Sequence, residues 1–599
     1  MHLAFSDWLI ILLYFVISAA IGLAYTRKAG QSLADYFVSG RSLPWWLAGT
    51  SMVATTFAAD TPLAVAGLVA KYGVAGNWLW WNGAVSGVLT VFFFSRLWRR
   101  AGVLTDVEFA ELRYGGRPAA VLRGFRALYL ALPINLIIMR WVTRAMVTIL
   151  QISLNIDPWK AALFLFGVTA IYSVFGGLWG VIVTDLFQFV FAMGGSVLLA
   201  VLAVQSVGGL GPLTARVAEH FGSREAAFGV IPPLDAPWLP ITTLFVWLGV
   251  QWWAAWYPGQ EPGGGGYVVQ RILSAKDERH GLLATLWFTI AHYALRPWPW
   301  ILVGFVGLLR YPGLANPEEG YVRVMVDILP SPFRGLLLAA FAAAYMSTIS
   351  THLNWGASYL VNDVYLRFLK PDASPRAQVA ASRIATIGLM ISSLVVMGFL
   401  TSVEQGWKLL IALGAGTGLV FILRWYWWRV NAWSEISAMV ASFVTSIVMM
   451  RLGHSMGDPG SRDYAFTMVI TVGIATAVWV AVTLLTPAES EETLERFYRR
   501  VRPGGVGWRV VARRLGFGDD PIPGGALSWL NWLAGIVAVY AAVFAGGASV
   551  TGQPLRAVVY AAVAIGAFSL IQRNLRADPQ LAAGVDTGLD PRLRFDPGE

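Results

Sequence analysis

Thr55, Thr56, Asp60 and Thr61 fall in the middle of an apolar stretch, 45–67, and Pro62 follows them directly. Proline has no backbone N–H and its ring collides with the preceding turn, so it breaks a helix there. Inside hydrocarbon a broken backbone is tolerated only where protein or a water-filled cavity surrounds it. Carbonyls freed in this way, beside hydroxyls and one carboxylate, are oxygen ligands for a hard cation. A plain proline kink, with the hydroxyls bonded back to their own helix, accounts for the same residues without any ligand. A second cluster, Ser347, Thr348, Ser350 and Thr351, places its hydroxyls on about one helical turn. Positions 347 and 350 share a face, as do 348 and 351, and 347 meets 351. The alanines upstream admit a close neighbouring helix, and a packing seam is the alternative reading of this turn.

Two more groups draw notice. Arg140 and Arg144 lie one turn apart in an otherwise apolar segment, 136–144. An ionisable side chain inside a span points to function, and the guanidinium fork suits a carboxylate. An Arg140–Asp60 ion pair would use the same residues with no anionic solute. Gln251, Trp252 and Trp253 offer a polar and aromatic wall of the kind sugars stack on, or simply pack.

The elements that position these residues must be membrane helices. The chain is 57% hydrophobic and 13% charged, against ~25% charged in soluble proteins. Its mean hydropathy is +0.60. The net charge of +10 is scattered between apolar runs, so no nucleic-acid partner is expected. With no cysteine and six isolated histidines there is no disulfide framework, no zinc motif and no nucleophile–base pair, and enzymatic chemistry is not expected.

Apolar runs predict about fifteen spans. One extra transmembrane helix lies within 1–30. A first set of five covers 44–205, at 44–70, 78–96, 127–152, 159–178 and 182–205. A second set covers 239–425, at 239–258, 281–309, 333–358, 380–402 and 407–425. Extra C-terminal helices occupy 433–572, interrupted by an Arg-rich loop with a surface helix at 487–526, and a polar tail occupies 573–599. Arginines crowd 96–126 and 487–526, while 152–158 and 547–554 have none. The positive-inside rule then puts the N-terminus outside and the C-terminus in the cytoplasm of a cell (inner) membrane. An odd number of spans per set inverts the second set relative to the first. Each set opens with an interrupted helix, at Asp60-Thr61-Pro62 and in the Gly/Pro-rich stretch 257–266. Such paired interruptions mark the binding site of secondary transporters, although a flexible cytoplasmic loop at 258–266 would look the same.

Several motifs in order give the chain its resemblance. They are 34–41 (ADYFVSGR) with 43–46 (LPWW), 176–181 (GGLWGV) with 184–188 (TDLFQ), 269–271 (VQR) with 275–277 (AKD), the 347–354 turn, and 362–365 (NDVY). Together they resemble the sodium:solute symporter family, over most of 30–430. The resemblance implies an all-α, polytopic, LeuT-type five-plus-five inverted repeat. It implies a first sodium site from the carbonyls of Ala54, Phe57 and Ala344 and the hydroxyls of Ser347 and Thr348. It implies a second, present in some members, from Asp185, Ser350 and Thr351; a solvated or salt-bridged interfacial acid is the other reading of Asp185. Thr56, Asp60 and Thr61 match substrate-facing positions, Arg140 falls close to where carboxylate-binding members place an arginine, Gln251 and Trp252 could add a wall, and Tyr267 looks like an inner-gate tyrosine. The insert 261–266 departs from the family pattern just before that tyrosine.

The expected activity is sodium-coupled import of a small polar organic solute (a carboxylate, sugar or amino acid) by alternating access. The transported sodium ion is the only cofactor expected. The expected partners are the solute and the lipid bilayer, with no obligatory protein partner. A membrane sensor that kept the fold, and a proton-coupled transporter using Asp60, are the alternatives.

Overall fold

The computed structural model describes residues 3–29, 38–233, 236, 238–255, 262–395, 403, 407, 414–454 and 461–582. Parts of the expectations above fall outside them: motif residues 34–37, positions 257–261 of the insert, the end of the span 380–402, most of 404–413, and the tail from 583. Every named element among the described residues is a helix, and none is a strand. Among the described residues eight helices are long and apolar enough to cross a membrane, and one bent pair counted as a span makes nine.

The elements that matter for the site are, in chain order, α1 (Phe5–Ala29), α2 (Trp45–Phe57), α3 (Thr61–Tyr72), α4 (Asn135–Leu154), α5 (Pro158–Ser206), α6 (Gly266–Ser274), α7 (Glu278–Ile290), α8 (Pro297–Arg310), α9 (Phe333–Ser358), α10 (Glu491–Val501) and α11 (Pro554–Ala577). The first set of spans differs from expectation at α5. The stretches 159–178 and 182–205 are one continuous helical backbone, because no proline lies between Pro158 and the end of α5 to interrupt the hydrogen-bond ladder. The expected outer loop 206–238 contains two short helices, Leu210–His220 and Arg224–Phe228.

The second interruption is present as well. The helical backbone of 241–254 stops at Ala255, which is extended, and α6 starts at Gly266. Residues 262–266 are buried. Gly263 and Gly264 have φ of 85° and 84°, which side-chain-bearing residues rarely adopt. The Gly263 carbonyl accepts from the Trp98 indole at 2.7 Å, so this part of the insert is packed against the helix that follows Phe94.

The arginine-rich segments are not solvated loops. Arg96, Arg99, Arg100, Arg113 and Arg126 are all buried. Arg100 pairs with Glu278 at 2.8 Å, Arg126 with Glu435 at 3.1 Å and Arg96 with Asp578 at 2.6 Å. Arg113 donates to the Arg424 carbonyl at 2.7 Å. Within 487–526, α10 buries Phe497 and Tyr498, and the Trp508 indole donates to the Trp425 carbonyl at 2.7 Å. Buried cations survive only when paired or hydrogen-bonded, which explains why each has such a partner. Asp277 caps α7 by accepting from the His280 N–H at 2.8 Å. Burial would raise its carboxyl, but the backbone N–H and ring of His280 outweigh that and hold it below its ordinary value. The cap therefore contributes at neutral pH and is lost as pH falls through that depressed value.

Helix α2 packs tightly on α7. A Cβ on Gly49 would come within 2.6 Å of the Ala284 carbonyl oxygen and 2.9 Å of the Trp287 ring. Gly49→Val is expected to destabilise the protein by about 1–3 kcal/mol through overpacking. A lowered melting temperature checks this, and an unchanged one would show that the two helices do not meet so closely.

Candidate functional site

Helix α2 ends at Phe57, and α3 restarts at Thr61 on an axis bent by 58°. The intervening Ala58 has φ 39° and ψ −178°. Pro62 sits in the first turn of α3, where a missing N–H costs no hydrogen bond. The end of α2 therefore leaves its last carbonyls without helical partners. Two find hydroxyls: Thr61 Oγ1 donates to the Thr56 carbonyl at 3.0 Å, and Thr348 Oγ1 lies 3.2 Å from the Thr55 carbonyl. Among the described residues no backbone N–H closes a turn onto the other two, Ala54 and Phe57.

Helix α9 supplies the opposite wall. Thr348 Oγ1 also lies 2.9 Å from the Ala344 carbonyl, so one hydroxyl touches both helices. Ser347 donates to Asp185 of α5, and Ser51 of α2 donates to the other oxygen of that carboxylate at 2.5 Å. Arg271 of α6 lies in the same cluster. Its Nε is 3.4 Å from Ser51 Oγ, and its Nη2 is 3.4 Å from both Thr55 Oγ1 and Thr351 Oγ1. Asp185 and Arg271 are both fully buried.

Six of the residues expected for two ion sites, Asp185, Ala344, Ser347, Thr348, Ser350 and Thr351, thus belong to one connected cluster. Thr348 bridges the Thr55 and Ala344 carbonyls where α2 ends against α9, and Ala54 and Phe57 lie in that same last turn of α2. Asp185 joins the cluster through Ser347 instead of through Ser350 and Thr351. Ser350 turns its hydroxyl back to the Ser347 carbonyl at 3.0 Å, and Thr351 faces Arg271. This differs from the expected Asp185–Ser350–Thr351 grouping: the buried guanidinium of Arg271, which sequence spacing did not bring near, reaches Thr351, while Ser350 bonds back within α9. Thr348→Val, which keeps the shape and removes the hydroxyl, is expected to weaken sodium binding about tenfold, the worth of one hydrogen-bonding group facing a charge. Sodium titration of the melting temperature checks it, and an unchanged midpoint would show that the Thr348 hydroxyl does not serve a sodium ion.

A cavity opens at the break. Thr55, Thr56, Asp60 and Thr61 line it from the broken helix, and Tyr267, Thr348 and His352 from α6 and α9. Its aromatic walls are Trp80, Trp141 and Trp407. Asp60 Oδ1 is buried and takes no hydrogen bond among the described residues.

Among the residues of this cavity not singled out from sequence are His292 and Arg296. Pro297 has no N–H, and the chain before it winds as a π-helical turn, Ala291–Leu295, with the Arg296 N–H bonded to the Ala291 carbonyl at 3.2 Å. That turn directs both side chains at the end of α2. Arg296 Nη1 donates to Thr56 Oγ1 at 2.9 Å and to the Val53 carbonyl at 3.2 Å. Its Nε donates to the His292 carbonyl at 3.2 Å, and Nη2 lies 2.6 Å from His292 Nδ1. An arginine in an apolar run was the available signal, the same one that drew notice to Arg140.

Arg140, Gln251 and Trp252 do not line the cavity. Ile138, Trp141 and Val142 form the cavity face of α4, and Arg140 is buried on another face of the same helix. Gln251 bridges Asn82 at 3.3 Å and the Tyr464 hydroxyl at 2.5 Å, which engages both ends of its amide. Trp252 packs on Trp532 with ring centroids 5.9 Å apart.

A helix broken at midspan, a hydroxyl-bearing helix across from it and a polar cavity at the break define a secondary active transporter. The profile of the Sodium:solute symporter family matches residues 36–442, and the chain belongs to that family. It is 27% identical over 496 residues to the sodium/glucose cotransporter of Vibrio parahaemolyticus, covering 78% of this chain and 90% of that one. It is 26% identical over 496 residues to the sodium/myo-inositol cotransporter 2 of Mus musculus, covering 76% of this chain and 71% of that protein. In fold it is similar to a Na+-coupled sialic acid symporter in its substrate-bound outward-open state. The TM-score is 0.66 at 22% identity, covering 81% of this chain and 99% of that one. The protein is a multi-pass membrane protein of the all-α, LeuT-type architecture.

Proposed function

We propose that the protein imports a small polar organic solute, first of all a hydroxylated one of the sugar or polyol class, in symport with sodium. The observation that carries the solute reading is the state of the polar groups in the cavity. The Arg296 guanidinium is engaged by Thr56, Val53 and His292, whereas Asp60 Oδ1 is an open acceptor. An open buried carboxylate oxygen asks for donors, which hydroxyl groups supply, and the tryptophan walls suit the apolar faces of a sugar ring. The expectation of a carboxylate solute rested on Arg140, which is not among the lining residues. The glucose and myo-inositol in the names of the relatives point the same way.

Sodium enters as transported substrate. The Ala54, Phe57 and Ala344 carbonyls with the Ser347 and Thr348 hydroxyls offer a five-oxygen shell between α2 and α9. An ion there holds the two helices together while the solute cavity forms, and its release to a low-sodium cytoplasm lets them part. Each inward charge gains about 2.3 kcal/mol per 100 mV. The N-terminus outside, the C-terminus inside and a cell (inner) membrane location complete the reading.

Proteoliposome uptake of a panel of labelled sugars, polyols, amino acids and carboxylates tests it, with inward sodium, potassium or proton gradients. Sodium-specific accumulation of a hydroxylated solute is the expected result. Accumulation that follows pH and ignores sodium would favour proton coupling, for which the Asp60 carboxyl, with Oδ1 unbonded, is the candidate group. No accumulation of any solute in any gradient would favour a sensor.

A further inference from the structure

A groove between α7 and α11 lies apart from the solute cavity. Leu286, Trp287 and Ile290 line it from α7, and Phe568 and Leu575 from α11. On α11 positions 568, 572, 575 and 576 fall on one helical face. Only 6% of the most apolar window of α11 is buried, so this helix stands at the edge of the protein and the groove opens toward lipid. Arg279, at the start of α7, and Arg576, at the end of α11, line the same groove. Both are exposed, and among the described residues neither has an ion pair or hydrogen bond to the protein. They lie at the arginine-rich end of the molecule, where Glu278 pairs with Arg100 and Asp578 with Arg96.

We propose that this groove binds an anionic glycerophospholipid, with an acyl chain along the apolar walls and the phosphate between Arg279 and Arg576. A neutral lipid would leave the paired arginines unexplained, and a soluble anion would leave the apolar slot unexplained. A basic pocket between transmembrane helices at the headgroup level meets both chemical demands of such a lipid. The site also touches the transport machinery. Trp45, the first residue of α2, lines the groove, and the Trp287 indole donates to Thr50 Oγ1 of α2 at 3.1 Å. A bound lipid therefore braces α2 against α7.

The test uses the full chain, purified in a neutral detergent and titrated with dioleoylphosphatidylglycerol or dioleoylphosphatidylcholine. Phosphatidylglycerol is expected to raise the melting temperature and to be retained preferentially in native mass spectra of the unmodified protein. The Arg279→Gln, Arg576→Gln double variant is expected to need about thirtyfold more of it, at roughly fivefold per arginine near the headgroups. Arg573→Gln, exposed on α11 but outside the groove, should respond as the native chain does. Equal responses to the two lipids, an undiminished response in the double variant, or a shift reproduced by soluble glycerol phosphate would overturn the proposal.

Discussion

Arg296→Ala is expected to lower solute uptake a hundredfold or more. The guanidinium is 1% exposed and binds Thr56 Oγ1, the Val53 carbonyl and both the carbonyl and ring of His292. It thereby ties the chain before α8 to the last turn of α2, beside the Asp60 carboxylate. Removing one side of a buried, hydrogen-bonded charge network costs about 3–5 kcal/mol, because the groups left behind are stranded out of water. The loss falls where the cavity and the freed carbonyls meet, so uptake per folded molecule should fall more than stability alone would dictate. Arg296→Lys keeps the charge but cannot reproduce the fork, and partial recovery is expected from it. Uptake by the alanine variant within threefold of the native rate, at matched protein, would contradict the placement of Arg296 in the machinery.

Asp185→Ala is expected to be the most destabilising single change in the ion cluster, again by about 3–5 kcal/mol. It removes the acceptor of Ser51 and Ser347 and leaves Arg271 with no carboxylate in a fully buried cluster. The sign of a second change makes the prediction specific. Combining Asp185→Leu with Arg271→Met removes both charges, and this double variant should melt higher than Asp185→Ala, since a buried pair replaced by apolar residues is often tolerated. A double variant that melts lower than the single one would show that the two charges do not share one environment.

Much of this site follows from elementary features of the chain. Pro62 with Asp60 and three threonines announces a broken span, and the break falls at Ala58–Asp60, one turn ahead of the proline, because Pro62 is best housed in the first turn of the next helix. The four hydroxyls of 347–351 announce a polar face on α9, and that face meets the end of α2. What remained hidden depends on tertiary partners. Arg140 is one residue from Trp141, yet a step of 100° around the helix separates a cavity-lining side chain from one that is not. Gln251 looked free for a solute, but Asn82 and Tyr464, distant in sequence, engage its amide. His292 and Arg296 face the site only because of the π-helical turn before Pro297, and apolar periodicity does not reveal a π turn. Arginine counts in 96–126 spoke only to orientation, not to burial. The same arginines are buried because their acids, Glu278, Glu435 and Asp578, arrive from far along the chain.

The measurement that bears most directly on sodium coupling through α2 and α9 is the melting temperature of the purified protein against sodium, at constant ionic strength with potassium as replacement. A ligand that binds only the folded state raises the melting temperature by mass action. The native chain should show a sodium-specific rise that saturates, and Ser347→Ala and Thr348→Ala should each shift its midpoint to higher sodium by about tenfold or more. A native chain whose melting temperature is the same in sodium and potassium at every concentration would contradict the account.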